Sequence, residues 1–281
     1  MQYSLQTRFQ GALIGGHIVY INLHQVAPNQ LIIDTIPSLN RGIASLTDPA
    51  RFDPQTWANN IAIDRPSPER SLVAMLPLML FFHDDRFKLR SILIEVSHTW
   101  QLDWETCSSA IAIGYIISRS LTESFDAETI IAELLAEMNN LHPALFEQLS
   151  QLAELAHQPI SLQQVSQKLA ATHPIITPTG LAIYCCLSTP TDFSLATRRA
   201  YHLQHRSLLT CALTGLLAGA QHSLAGIPLN GLMATQDRQQ WLAVAENLLR
   251  AWAGVYAEYR PQATAQQPLS VAAPRVIQRR N

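Results

Sequence analysis

Residues 210–220, TCALTGLLAGA, constrain this chain more than any other stretch. They carry no charge, and they set Gly215 and Gly219 one helical turn apart, with Ala218 and Ala220 alongside. A glycine inside a helix costs about 1 kcal/mol relative to alanine. Two of them on one face therefore call for a compensating contact, and a G-x-x-x-G face supplies it by letting a second backbone approach closely. The longest apolar runs, residues 72–82 and 208–220, both fall short of the ~20 residues of a membrane span. Gly215 and Gly219 are thus expected to be buried helix–helix contacts in a soluble core.

Gly11, Ala12, Gly15 and Gly16 form a second small-residue cluster, in a first helix over 5–24, and also suggest close packing. Residues 27–39, with Pro28 and Pro37, read as loop, and 40–46 as a short helix. Asp53-Pro54 and Ser67-Pro68 each place a capping side chain before a proline suited to a first helical turn. They open helices over 55–63 and 71–82, the second kinked by Pro77. Further helices are expected over 85–99, 103–121, 126–139, 143–157, 161–171, 179–187, 192–202 and 207–221. The last covers 235–259, where Trp241, Val244, Leu248, Trp252 and Tyr256 form a stripe. No strand alternation or short repeat is present. The reading is all-α, a single-domain orthogonal helical bundle over 1–259. After Tyr259 the composition shifts: residues 260–281 hold four arginines, three prolines and no acid, and read as a disordered basic tail.

A formal net charge of -2 gives no electrostatic reason to expect nucleic acid as a partner. Cys107, Cys185, Cys186 and Cys211 contain no C-x-x-C pair and read as free structural thiols in a reducing cytoplasm. No signal sequence stands at the N-terminus. A soluble, cytoplasmic protein without a membrane span is expected.

Three blocks, in order, resemble the ADP-ribosylglycohydrolase family, including the dinitrogenase-reductase-activating glycohydrolases. RFQGALIG, residues 8–15, is similar to its opening helix. Residues 69–100, with Pro77 and His98 in matching places, are similar to its central helix pair. TGLLAGAQHSLAGIP, residues 214–228, is similar to the helix and turn that close its active site. The resemblance implies an all-α bundle around a cleft holding two Mg²⁺ or Mn²⁺ ions, which removes ADP-ribose from modified side chains or related small molecules. Such hard dications want oxygen ligands.

The matching positions lack them. The family's Gly-Asp-x-Asp-Thr turn falls on His205-Arg206-Ser207-Leu208-Leu209, so Arg206 and Leu208 replace its carboxylates and Leu209 its threonine. The Thr-Asp-Asp-Thr turn falls near Ile33-Asp34-Thr35-Ile36, leaving Asp34. The first-helix motif puts Tyr20 where an aspartate would stand, and Pro68-Glu69-Arg70, followed by Ser71, replaces the central Gly-Asn-Gly loop. A residual cleft of Asp34, Thr35, Ser71, His98 and Arg206 is expected, with no catalytic residue, no metal and no cofactor.

Other groups read more plainly. His83-Asp84-Asp85 is a helix end, a turn and an N-cap. His98 reads as a structural histidine, with a ligand-contacting role as the alternative. Glu95 is a lone carboxylate. His202, His205 and His222 are the best remaining histidine group, and Arg198, Arg199 and Arg206 could clamp an anion such as a phosphate. The expected function is a non-catalytic binding or regulatory protein acting through a protein partner. A hydrolase of ADP-ribosyl or N-glycosidic substrates is the alternative, with a single metal (Mg or Mn) or none and Asp34, Glu69 and His98 as its polar groups. Binding of an ADP-ribose-like ligand without cleavage is a third reading.

Overall fold

The structure is a computed structural model. It describes residues 4–24, 42–43, 45–46, 52–61, 67–137, 141–156, 161–169, 173–203, 208–235 and 238–254, with backbone alone at 18–24, 156 and 234. Among the described residues every regular element is helical. In chain order these are α1 (Leu5–His24), α2 (Pro54–Ile61), α3 (Pro68–Ala74), α4 (Leu76–Phe81), α5 (Arg86–Thr99), α6 (Trp104–Leu121) and α7 (Ile130–Glu137). There follow α8 (Pro143–Ala156), α9 (Leu162–Lys168), α10 (Ile176–Leu187), α11 (Phe193–Tyr201), α12 (Leu208–His222), α13 (Leu229–Ala234) and α14 (Arg238–Trp252), with a 3-10 turn at Leu224–Gly226 between α12 and α13.

Helix starts follow local chemistry. Asp53, Asp85, Asp103 and Asp192 each accept the backbone N–H three residues on, at 2.7–3.1 Å, which satisfies a donor that the first turn leaves without a helical partner. Ser161 and Gln164 form a reciprocal capping box on α9. Asp85 thus caps α5 while His83 is buried, so residues 83–85 are the helix end, turn and cap that the sequence indicates.

Three boundaries depart from expectation. Pro77 breaks the 71–82 helix rather than kinking it. Without an N–H it cannot continue the ladder, so α3 closes with the Met75 N–H on Ser71 O and α4 restarts at Leu76. Helix α10 begins at Ile176, before Pro178 rather than after it, because a first-turn proline needs no hydrogen-bond partner. Helix α7 begins only at Ile130, since Asp126 caps a turn through the Glu128 N–H. The stripe on α14 is buried at Trp241, Val244, Leu248 and Trp252; Tyr256 and the tail 260–281 lie outside the described residues.

The core is continuous. Helix α6 runs through it, buried all round from Thr106 to Ser118, with α3, α4, α5, α7, α8, α10 and α12 against it. Full burial of each of Ile111, Ile113, Ile116 and Ile117 contributes about 1.5–3 kcal/mol. Helix α1 packs along α12 and also against α14. The α1–α12 seam is made of glycine. A side chain at Gly219 would run into the Gly11 carbonyl, and one at Gly15 into the Gly215 carbonyl. The two small-residue clusters therefore meet each other, backbone to backbone, and Gly215 and Gly219 are both buried. Among the described residues, no helix is long and apolar enough to cross a membrane.

Candidate functional site

Helices α1 and α12 are antiparallel, because Gly11 faces Gly219, Gly15 faces Gly215 and Gly16 faces Ala212. Their two ends differ. At the C-terminal end of α12 the chain turns sharply at Ser223, which is fully buried with φ 62° and ψ 180°. A side chain at Gly11 would lie 2.5 Å from the Ser223 carbonyl carbon, so this end is sealed. Nearby, Arg8 donates to Ser120 O and pairs with Glu123 at 3.6 Å. His222 is buried, its Nε2 without a partner. Burial and the Arg8 charge hold its pKa below the ordinary histidine value, against the pull of Asp192.

The opposite end is open. A narrow apolar pocket, with enclosed room of only about 20 Å³, lies between α1, α3, α4, α12 and α14. Leu13, Leu76, Ala212 and Leu216 give it apolar walls, and His17 and Trp241 are its two polar-bearing rings. Those rings sit 4.6 Å apart, tilted by 42°. Trp241 is 3% exposed and its indole Nε1 has no acceptor.

Helix α12 starts at this end, and it is here that the family resemblance aligns a metal-binding turn. Leu208 is half-buried and Leu209 buried; both are hydrocarbon, with no lone pair for a cation. Arg206, Asp34 and Thr35 lie outside the described residues, as does the side chain of Tyr20. Among the described residues no group of three or more His, Cys, Asp or Glu side chains could hold a metal. The described donor set does not fit a hard dication.

The remaining predicted residues are not brought together. Ser71 is fully buried on α3, its hydroxyl donating to Ser67 O at 3.1 Å. Glu69 is half-buried in the first turn of the same helix. His98 is exposed on α5: Ile92, Leu93, Val96 and Ser97 turn inward, and His98 falls on the opposite face. There it shares an open surface hollow with Glu95, Gln55, Ile94 and Thr99. The histidine group also separates. His202 and His222 flank opposite ends of α12, which is about 21 Å long at 1.5 Å per residue, and His205 lies outside the described residues. Arg199 rests over the Tyr184 ring at 5.5 Å while Arg198 is exposed. All four cysteines are buried and outside any disulfide, and burial pushes the Cys185 thiol up to about 12.

Sequence reasoning missed the pocket. Trp241 stood out as one of a buried stripe, and His17 carried no signal beyond following Gly15-Gly16. The pocket exists only where four segments, distant in sequence, converge.

The all-helical fold is shared with a solved structure. A solved structure described as an ADP-ribosylglycohydrolase-related protein complex matches with a TM-score of 0.66 at 18% identity, over 88% of this chain and 98% of that one. The ADP-ribosylglycohydrolase family model matches residues 25–258, and the chain belongs to that family. No curated protein matches the sequence.

Proposed function

We propose that this chain is a non-catalytic member of the ADP-ribosylglycohydrolase family, a cytoplasmic binding or regulatory protein that acts through a protein partner. The observation that carries the reading is the start of α12. Where the family's turn offers a carboxylate and a threonine, this chain has Leu208, half-buried, and Leu209, buried, beside an apolar pocket. Hydrocarbon cannot ligate a dication, and one remaining carboxylate at Asp34 is too weak a ligand to assemble a dinuclear centre. A partner surface is consistent with α13, where Leu229 and Met233, one turn apart, are 63% and 74% exposed.

The test is direct. ADP-ribosyl-arginine incubated with the full chain and Mn²⁺ should survive, and calorimetric titration with Mn²⁺ should show no tight binding. Metal-dependent release of ADP-ribose, abolished in Asp34→Ala, would replace this reading with that of a hydrolase with an atypical site.

A further inference from the structure

One helix of this molecule starts on an unusual cap. Among the described residues, Asp53, Asp85, Asp103, Asp192, Ser67 and Ser161 cap helices by accepting a first-turn N–H through a carboxylate or hydroxyl oxygen. Helix α8 uses an imidazole. His142 precedes Pro143, the first residue of α8, and its Nδ1 accepts the Ala144 N–H at 3.3 Å. Its carbonyl accepts from Leu145 and Phe146 at 2.9 and 3.0 Å, and its own N–H donates to Ser108 Oγ of α6 at 2.9 Å. His142 therefore holds the first turn of α8 and pins it to α6. A second histidine lies beside it: the His173 ring centroid is 6.1 Å away, with Nδ1 2.7 Å from Glu105 Oε1.

We propose that His142 is a proton-operated latch: the neutral ring caps α8, and protonation releases the first turn of α8 from α6. A neutral imidazole has one nitrogen with a lone pair, and here that nitrogen is Nδ1. The imidazolium carries a hydrogen on both nitrogens and cannot accept. Protonation thus turns the cap from acceptor to donor and sets it against the Ala144 N–H. Carboxylate and hydroxyl caps keep accepting throughout pH 5.5–7.5, whereas an imidazole changes its charge there. The helices packed on α8 are α6, α7 and α10. Helix α10 carries no Asp, Glu, Lys, Arg or His. The acids of α7, Glu133 and Glu137, are paired with Arg119 and Arg86, and Glu105 of α6 is engaged by His173. Glu147 and Glu154 of α8 itself are exposed and lie beyond its first turn. A charged His173 adds repulsion across the 6.1 Å between the rings. The freed turn carries Leu145, fully buried, and Phe146, 43% exposed, so opening enlarges the apolar surface at this end of the bundle.

Amide hydrogen exchange on the full chain, read by proton–nitrogen NMR and divided by the intrinsic rate at each pH, tests the latch. From pH 7.5 to 5.5 the protection of the Ala144 amide should fall about fivefold, the factor that corresponds to losing one helix cap. The Thr56, Thr106 and Leu195 amides, which donate to Asp53, Asp103 and Asp192, should change by less than about twofold, because carboxylate caps keep accepting. His142→Asn keeps an acceptor at the cap and removes the titration, so its Ala144 protection should be the same at both pH values. Constant Ala144 protection in the wild-type protein overturns the proposal, as does a fall that His142→Asn retains or that all four amides share equally. If His142→Asn does not fold, the wild-type ring decides: the Nδ1 signal of His142 should gain its proton over the same pH interval in which Ala144 loses protection, and separate midpoints overturn the latch. None of these readouts involves ADP-ribose, so failure here leaves the non-catalytic reading where it stands.

Discussion

The two ends of the α1–α12 pair share one seam and differ in what closes it. At one end Gly11 and Gly219 bring backbones into contact, Ser223 turns the chain in a conformation suited to glycine, and no room is left. At the other, Gly16 faces Ala212 with ordinary spacing, and the helices flank an apolar pocket roofed by Trp241. The contrast separates two demands on one helix pair. The closed end holds the bundle together, so its residues are set by shape. The open end is where the family resemblance places its chemistry, and there Leu208 and Leu209 leave packing intact while offering no ligands.

The comparison is open to attack at the closed end first. Gly219→Ala should destabilise the protein by about 3 kcal/mol, the upper range for overpacking, because the added methyl meets the Gly11 backbone rather than a movable side chain. Ala212→Gly, on the same helix near the pocket, should cost only about 1 kcal/mol, the propensity difference. Urea unfolding of both variants measures this, and equal losses would mean that the two ends do not differ in tightness.

Acid should act through the closed end next. Burial holds His83 and His222 below the ordinary value of 6.5; the Leu80 carbonyl and Asp84 oppose it at His83, and Asp192 at His222. His83 lies there too, between Phe9 of α1 and Trp252. Below about pH 6.5 the unfolded chain takes up protons that the fold refuses, so stability is complete above that pH and falls as pH drops towards the folded pKa values. Urea midpoints at pH 7.5 and 5.5 should differ less in His222→Asn than in the wild-type protein. An unchanged difference would assign the acid loss to other groups.

A smaller effect of opposite sign is expected at Ser223. Its φ of 62° with ψ near 180° is a region that glycine alone occupies without strain. Ser223→Gly loses the bond from the Ala225 N–H to Ser223 Oγ, yet relief of strain should still stabilise by about 1 kcal/mol. A lower melting temperature would show that the hydroxyl outweighs the strain. The smallest effect is expected from deleting residues 260–281, which should shift the melting temperature by under about 1 °C if the tail adds nothing to the core. A larger shift would show that the tail docks on its own domain.

Much of this molecule was legible one helix at a time. Asp53, Ser67, Asp85, Asp103, Ser161 and Asp192 mark helix starts because a cap acts within three residues of itself. Gly215 and Gly219 announce a close backbone approach because glycine has no other use inside a helix. The missing ligands at Leu208 and Leu209 were also readable, since a hydrocarbon side chain has no lone pair in any fold. Even local signals failed at Pro178, which the expected helix over 179–187 left out but which sits in the first turn of α10. Which backbone meets Gly219, which way His98 faces and whether Trp241 finds an acceptor were decided only in three dimensions. Each depends on contacts between residues tens to hundreds of positions apart, and no spacing within a single helix specifies which face of another it will meet.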